Sequence, residues 1–572
     1  MLSLGMHSRR SANSRLAHAL LVLLLCVVPA LQAQPAPRAT VASPHPLASE
    51  AGLSILLAGG NAFDAAVAVA AALAVVEPYG SGLGGGGFFL LRQGGSSPSY
   101  LFIDARERAP LKARPDLYLK GGQAQRRLSL DGPLAAAIPG IPAGLAELSS
   151  RHGRLSLEQS LAPAIRLARE GFPVDRVYQS RAQMRLAALR DDAESARLFL
   201  DAGEVPAQGF VLRQPELAAS LEQLASAGHA GFYSGELATR LVEGVNRAGG
   251  IWSMEDLASY QVVERIPLQV SLADDRQLIT APPPSAGGVA IAQSLLMLQQ
   301  LPWREAERAQ RAHLVAEVLR RAYHDRRLIG DPDYVDTPLP RLLAPDYLEG
   351  LTASISSRKA TPSTSLGTPA ALHEGEDTTH FSILDGDGNA VAATLSINLP
   401  FGAAFTVPGT GVLLNDEMDD FAVDPAGSNA YDLEASQANL VGPGRRPLSS
   451  MTPTFIDSAD QLASFGTPGG SRIPSMVLLA ILEYLDEQPV QAWVAAGRYH
   501  HQFHPDRIQH EPDAFDEDAM ATLRERGHTL DNVGRRYGNQ QVILWHKSSG
   551  QVDAASDPRG IGQSLQAPAA KP

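Results

Sequence analysis

The chain has 572 residues, of which 44% are hydrophobic and 19% charged, with a formal net charge of −13. This is a globular composition, too long for one small domain and with ample material for a core. The negative balance argues against nucleic acid as a partner, because phosphate binding needs clustered lysine and arginine. The single cysteine, Cys26, falls inside a segment expected to be removed, which excludes disulfides, thiol catalysis and cysteine-bound metal from the mature protein.

That segment comes first. Arg9, Arg10 and Arg15 precede the apolar run Leu16–Leu31, and a small residue, Ala33, stands before the expected cut. This is the pattern of a secretory signal over residues 1–33 and predicts a secreted protein, periplasmic or extracellular. An uncleaved membrane anchor is the competing reading. Twin-arginine export is disfavoured, since the apolar residues expected directly after Arg9-Arg10 are missing.

Ser49–Pro78 reads as two helices separated by the stop signal Gly59-Gly60, the second so rich in alanine and valine that it must be buried all round. Gly80–Gly87 (GSGLGGGG) follows a helix and precedes a strand, the reverse of a phosphate loop, and predicts close backbone packing. Phe88–Gln93 and Ser99–Glu107 read as strands. Residues 130–330 are mostly helical by period, clearest in Pro215–Gly228 and Glu305–Arg327. Ala353–Asp377, rich in Ser, Thr and Pro, reads as a flexible linker, and the last third alternates strands with a few helices.

Directly after that linker, Thr379–Leu384 and Ala390–Ser396 flank Asp385–Asn389 (DGDGN), a hairpin signal. A turn centred on Asp387 sets Thr378 opposite Ser396, with Asn398 expected on the same face two residues on. Such a Thr/Ser pair can be an ordinary exposed pair. If the Asp377–Thr378 bond is cut, however, Thr378 becomes an N-terminal residue whose hydroxyl is a nucleophile and whose α-amine is a general base. That amine titrates near ~7.7–8.0, suited to proton transfer at neutral pH.

Nine stretches, in order, carry a resemblance: HPLASEAGLSILLAGGNAFDAAVAV, GLGGGGF, FIDARERAP, TTHFS, LNDEMDDF, GPGRRPLSSMTPT, GTPGGSR, RYHHQF and ASDPR. From about His45 to Gly562 the chain resembles the γ-glutamyltranspeptidases (glutathione hydrolases), N-terminal nucleophile hydrolases. The resemblance implies an α/β fold, a four-layer αββα sandwich. It implies a precursor that cuts itself once, giving a large subunit (34–377, ending in the linker 353–377) and a small one (378–572) that stay together as a heterodimer. It implies γ-glutamyl compounds such as glutathione as donors, water or an amino-acid or peptide amine as acceptor, and no cofactor or metal.

By the same resemblance Thr378 is the nucleophile and Ser396, where the family usually has threonine, the hydroxyl beside it. Arg106, Ser449 and Ser450 bind the substrate α-carboxylate, and Asn398, Glu417 and Asp420 its ammonium. Gly469 and Gly470 form the oxyanion hole, and Tyr431 is a lid residue. His500 and His504, at i, i+4, tempt a metal reading, but no carboxylate cluster accompanies them. A cephalosporin or glutaryl acylase, a poly-γ-glutamate-processing enzyme and an inactive secreted relative are the alternatives on this scaffold.

Overall fold

The computed structural model describes residues 36–367, 378–422 and 436–568. The expected signal segment, Asp377 and Tyr431 lie outside them. No helix among the described residues is long and apolar enough to cross a membrane.

Two antiparallel sheets carry the architecture. The first runs β13-β1-β7-β8-β2-β3-β4, with β1 Thr40–Ser43, β2 Gly86–Gln93, β3 Ser99–Ala105, β4 Val263–Arg265, β7 Thr379–Leu384, β8 Ala390–Ser396 and β13 Gln563–Gln566. The second runs β12-β11-β10-β9-β6-β5, with β5 Leu268–Ser271, β6 Gln277–Thr280, β9 Thr454–Asp457, β10 Gln461–Phe465, β11 Gln541–His546 and β12 Gln551–Ser556. Both halves of the chain therefore contribute to each sheet, interleaved in the first and meeting at the single β9–β6 seam in the second.

Side-chain alternation along the strands sorts the core. In β2, Phe89 and Leu91 join the cluster under the helices of residues 46–245, whereas Phe88 and Leu90 face the second sheet with Phe455, Phe465 and Val542. A one-residue slip would exchange these faces, so register is strongly specified. A polar seam crosses between the sheets, where Ser382 Oγ contacts Ser464 Oγ (2.7 Å) and donates to the Gln541 carbonyl (3.0 Å). Helices α1 (Pro46–Leu57) and α2 (Ala62–Val76) cover the first sheet; α3 (Gly287–Leu298), α4 (Arg308–Asp325) and α5 (Ile473–Leu485) pack with the second. The four-layer α/β sandwich is thus the observed fold.

All of α2 is buried, as its composition requires, and it starts on a capping box in which Asn61 accepts from the Asp64 amide and Asp64 accepts from that of Asn61. The glycine run pairs backbone against backbone. A Cβ on Gly85 would come within 2.2 Å of the Ser396 carbonyl oxygen and one on Gly87 within 2.6 Å of that of Thr394, so larger residues would force β2 away from β8.

The expected linker behaves differently over its described half. Residues 354–367 are anchored: Arg321 donates to the Ser354 carbonyl (3.0 Å), the Thr361 amide to Glu317 (3.0 Å), and the Ser363 amide to Asp506 (2.7 Å). Its polar side chains and amides serve buried charges on α4 and beyond, which composition alone cannot distinguish from solvation.

Candidate active site

The β7–β8 hairpin has the expected register. Thr379 pairs Leu395 and Leu384 pairs Ala390, so the same pairing carried one residue further sets Thr378 against Ser396. Thr378 shares a face with His380 and Ser382, the face turned to the second sheet. There the ring of His380 fills the space a Cβ on Gly466 would occupy (2.1 Å to its Cε1), so the loop leaving β10 toward Gly470 runs beside the start of β7. Thr378 is buried, and its neighbour is pinned: Thr379 Oγ1 donates to Glu77 Oε2 (2.9 Å), whose other oxygen accepts from Tyr79 (3.1 Å). Burial raises the Glu77 carboxyl above its ordinary range, and His45 opposes the rise.

Gly469 and Gly470 lead into α5. Gly469 has φ 136° and Gly470 φ 53°, conformations that favour glycine, and a Cβ on Gly469 would meet Met476 Cε at 2.5 Å. The turn Gly470–Arg472 places backbone N–H groups at the helix N-terminus, where negative charge is favoured. Tyr323, from α4, donates to the Ser471 carbonyl and holds this turn.

Beyond Ser396 the strand periodicity stops. Asn398 has φ 73° and is not on a continued strand: its amide donates to Ser396 Oγ (2.8 Å), and its side chain to the Asp416 carbonyl (3.1 Å). The reason is the Asp416 carboxylate, which also accepts from the Leu399 amide (2.9 Å) and turns the chain. The Ser396 hydroxyl lies near enough to Glu417 to favour its ionised form, without a formed hydrogen bond.

From Glu417 the site continues into a buried charge cluster. Arg106 Nη1 lies 2.7 Å from Glu417 and 3.3 Å from Glu107, and Nη2 donates to Asp420 (2.5 Å) and to the Leu448 carbonyl (3.1 Å). Nε donates to the Pro447 carbonyl (3.2 Å). The Glu417 contact is close but not aligned as a hydrogen bond. Burial disfavours charge on Arg106, but Glu417, Glu107 and Asp420 more than reverse this. Burial drives Glu417 well above the usual carboxylate range and raises Glu107, with Arg106 opposing both.

Ser449 is fixed by its backbone, its amide donating to the Pro284 carbonyl and its carbonyl accepting from the Ala286 amide (both 2.9 Å), while its Oγ accepts from the Met451 amide (3.1 Å). Ser450 Oγ is buried without a partner among the described residues.

Of the expected residues, Thr378, Ser396, Asn398, Glu417, Arg106 and Asp420 thus form one connected group, with Ser449 and Ser450 joined to it through Pro447 and Leu448. Glu107, Glu77 and Tyr323 were not singled out in the sequence. Glu107 was within reach as the last residue of the DARE stretch; the other two needed tertiary contacts.

The His500/His504 pair is no helical face. His500 lies in the short strand Tyr499–His500, with Nδ1 on Ser475 (2.6 Å) and Nε2 on Gln502 (2.7 Å). Among the described residues, His313, Glu317 and His528 have the chemistry of metal ligands. His313 Nδ1 and His528 Nε2 are 2.7 Å apart, a hydrogen-bond distance shorter than two nitrogens on one zinc would keep (~3.3 Å). Glu317 is taken by Arg320, Arg321 and Thr361.

Two facing sheets between helical layers, with a threonine at the end of a central hairpin, define the scaffold of an N-terminal nucleophile hydrolase. The chain belongs to the γ-glutamyltranspeptidase family, whose sequence profile (Gamma-glutamyltranspeptidase) matches residues 48–567. It is similar to the glutathione hydrolase proenzymes of Pseudomonas sp. (strain A14), at 39% identity over 91% of this chain and 92% of the relative, and of Escherichia coli (strain K12), at 38% over 91% and 90%. Among solved structures it is similar to the cephalosporin acylase of Bacillus halodurans (TM-score 0.82, 27% identity, 93% and 96% coverage). It is also similar to the γ-glutamyltranspeptidase of Helicobacter pylori (TM-score 0.54, 35% identity, 58% and 96% coverage).

Proposed function

We propose that the protein is a secreted γ-glutamyltransferase and glutathione hydrolase that matures by cutting its own Asp377–Thr378 bond. The observation that carries this reading is the continuity of one buried group, from Thr378 across the hairpin to Ser396, through Asn398 to the Asp416–Glu417 turn, and on to Arg106. A hydroxyl nucleophile at one end and paired charges at the other suit a donor with a γ-carbonyl and an α-amino-acid terminus.

In the first cut, Thr378 Oγ attacks the Asp377 carbonyl, the amide becomes an ester, and water releases the Asp377 carboxylate and a free α-amine on Thr378. In turnover that amine accepts the hydroxyl proton as Oγ attacks the γ-carbonyl. The N–H groups of Gly469 and Gly470 meet the developing oxyanion, and the leaving amine takes up the proton. Water or an acceptor amine then attacks the ester by the same route. At the other end the donor's ammonium meets Glu417, Asp420 and Asn398, while its carboxylate meets Arg106, Ser449 and Ser450. The empty site holds the same charges paired with each other, so a zwitterionic end exchanges one set of ion pairs for another. That limits the desolvation cost of burying it.

The likeness to an acylase raises a second reading, a glutaryl-type donor. Such a donor has no ammonium, and Glu417 and Asp420 would find no partner on it. Incubation of the purified mature protein with glutathione and with a glutaryl amide decides. Release of glutamate and cysteinylglycine from the first at a much higher kcat/KM supports the γ-glutamyl reading, and preference for the second sinks it. Sequencing the small fragment tests the cut, which should begin at Thr378.

A further inference from the structure

Arg326 opens the short turn Arg326–Leu328 at the end of α4. Its Nη1 donates to the carbonyl of Ser449 (3.2 Å), directly before Ser450. Among the described residues no carboxylate comes within the 4.0 Å of an ion pair with it. Burial pushes this guanidinium down to about 10; Tyr323 and Asp420 oppose the fall, and Arg106 adds to it. The side chain, half-buried at the end of α4, therefore sits within electrostatic reach of Arg106 and Asp420, a largely desolvated cation with one carbonyl as its hydrogen-bond partner among the described residues.

Arg106 is in the opposite condition. All three of its nitrogens are engaged, with Pro447, Glu107, Glu417, Asp420 and Leu448 as partners. The cluster around it holds one guanidinium against three carboxyl groups. An incoming ammonium finds these acids waiting. An incoming carboxylate finds a guanidinium already surrounded by them and must displace one to be received there. Arg326 presents no such competitor. Beside the carbonyl it holds, Ser450 is 7% exposed and its Oγ has no hydrogen-bond partner among the described residues, although buried hydroxyls normally have one.

We propose that Arg326 is a specificity-determining residue that, with Ser450, holds the α-carboxylate of the γ-glutamyl donor and complements Arg106. This rests on the γ-glutamyl reading of the site. Arg326 comes from the large-subunit segment and Ser450 from the small one, so the carboxylate is gripped across the two.

The test compares mature wild type with Arg326→Ala, Arg326→Gln and Arg326→Lys on two donors, a γ-glutamyl anilide with a free α-carboxylate and its α-carboxamide. A charge-assisted hydrogen bond of the usual strength predicts that Arg326→Ala raises KM for the free acid at least about 10-fold. The carboxamide should be little affected, and Arg326→Lys should fall between, since it restores charge but not the planar fork. Protection of the folded protein by L-glutamate in thermal melts should weaken in the same order. If Arg326→Ala leaves Thr378 maturation incomplete, Arg326→Lys, which keeps the charge, and Arg326→Gln, which keeps a shorter neutral donor, decide by the same comparison. Equal loss on both donors, or no loss on either, overturns the proposal and reduces Arg326 to a clamp on the Ser449 backbone. Wild type that turns over both donors equally overturns it while leaving the γ-glutamyl reading intact. Wild type that turns over neither overturns both.

Discussion

The two ends of the proposed site, the one assigned the chemistry and the one assigned recognition, are built in different ways. The chemical end stands on a regular β-hairpin, where register alone sets Thr378 opposite Ser396 and faces it toward the glycine loop. The recognition end is assembled from separate loops: Arg106 just after β3, Glu417 and Asp420 in a short turn, Ser449 and Ser450 before β9. At the first, position is dictated by backbone hydrogen bonding, which any alternating sequence would reproduce. At the second, position is dictated by charges that hold one another, so each residue depends on its partners. Substitutions at the hairpin end should therefore damage chemistry and leave neighbours in place, whereas those at the charged end should spread.

Thr378→Ala is the severest break. Neither self-cleavage nor turnover should remain detectable, while the melting temperature stays near that of the uncut wild type. Appearance of two fragments divided at residue 378 in this variant would refute an intramolecular cut by its hydroxyl. Arg106→Ala should leave maturation nearly intact but lower kcat/KM for γ-glutamyl donors about 30- to several-thousand-fold, because one side of a buried charge cluster is lost (roughly 2–5 kcal/mol). Stability should fall as well, since three carboxyl groups lose their cation; unchanged thermal stability would contradict the mutual support claimed for that end.

Gly469→Ala comes next. It would force a Cβ to 2.5 Å from Met476 Cε at φ 136°, displacing an oxyanion donor. Loss of one such donor costs about 10²–10³-fold in kcat, and KM should change little. Ser396→Ala should be milder, slowing maturation more than it weakens binding. Its nearness to Glu417 adds a modest rise in KM, and a large rise with maturation at the normal rate would place the hydroxyl on the substrate instead.

The smallest effect is a pH trend. Burial holds His380, His500 and His528 at about 3 and His501 at about 4, against an ordinary 6.5. The unfolded chain binds protons there that the native one refuses. Stability is therefore complete above about pH 6.5 and declines as pH falls from there toward about 3. Melting temperatures flat between pH 7 and 8 and dropping below 6.5 are expected; a rise on acidification would reverse the sign.

The difference between the two ends also explains what could be read in advance. Period-two alternation and a five-residue turn contain the hairpin register, and the alanine-valine run contains the buried helix. The charged end carries no comparable signal, because Arg106 and Glu417 are separated by more than three hundred positions and meet only in the folded chain. Its residues are reachable through family resemblance, one by one; Arg326 lies outside the nine stretches that carry that resemblance. Extrapolating the strand to Asn398 failed because Asp416, far along the chain, captures its backbone and side chain. Residues 354–367 read as a linker because serines and threonines that solvate a loop are the same residues that bind a buried arginine.

The interleaved sheets have a thermodynamic consequence. Before any cut, β7 and β8 pair with β1 and β2 within one covalent chain, so folding is unimolecular and its equilibrium is independent of concentration. If the chain is divided before Thr378, as proposed, the same strand seams in both sheets join two molecules, and the unfolded state gains the translational freedom of a second chain. Refolding then becomes a second-order event. The divided enzyme should be long-lived because its strands are slow to part, yet recover poorly and in proportion to concentration after full denaturation, while the uncut Thr378→Ala chain refolds equally well at any dilution.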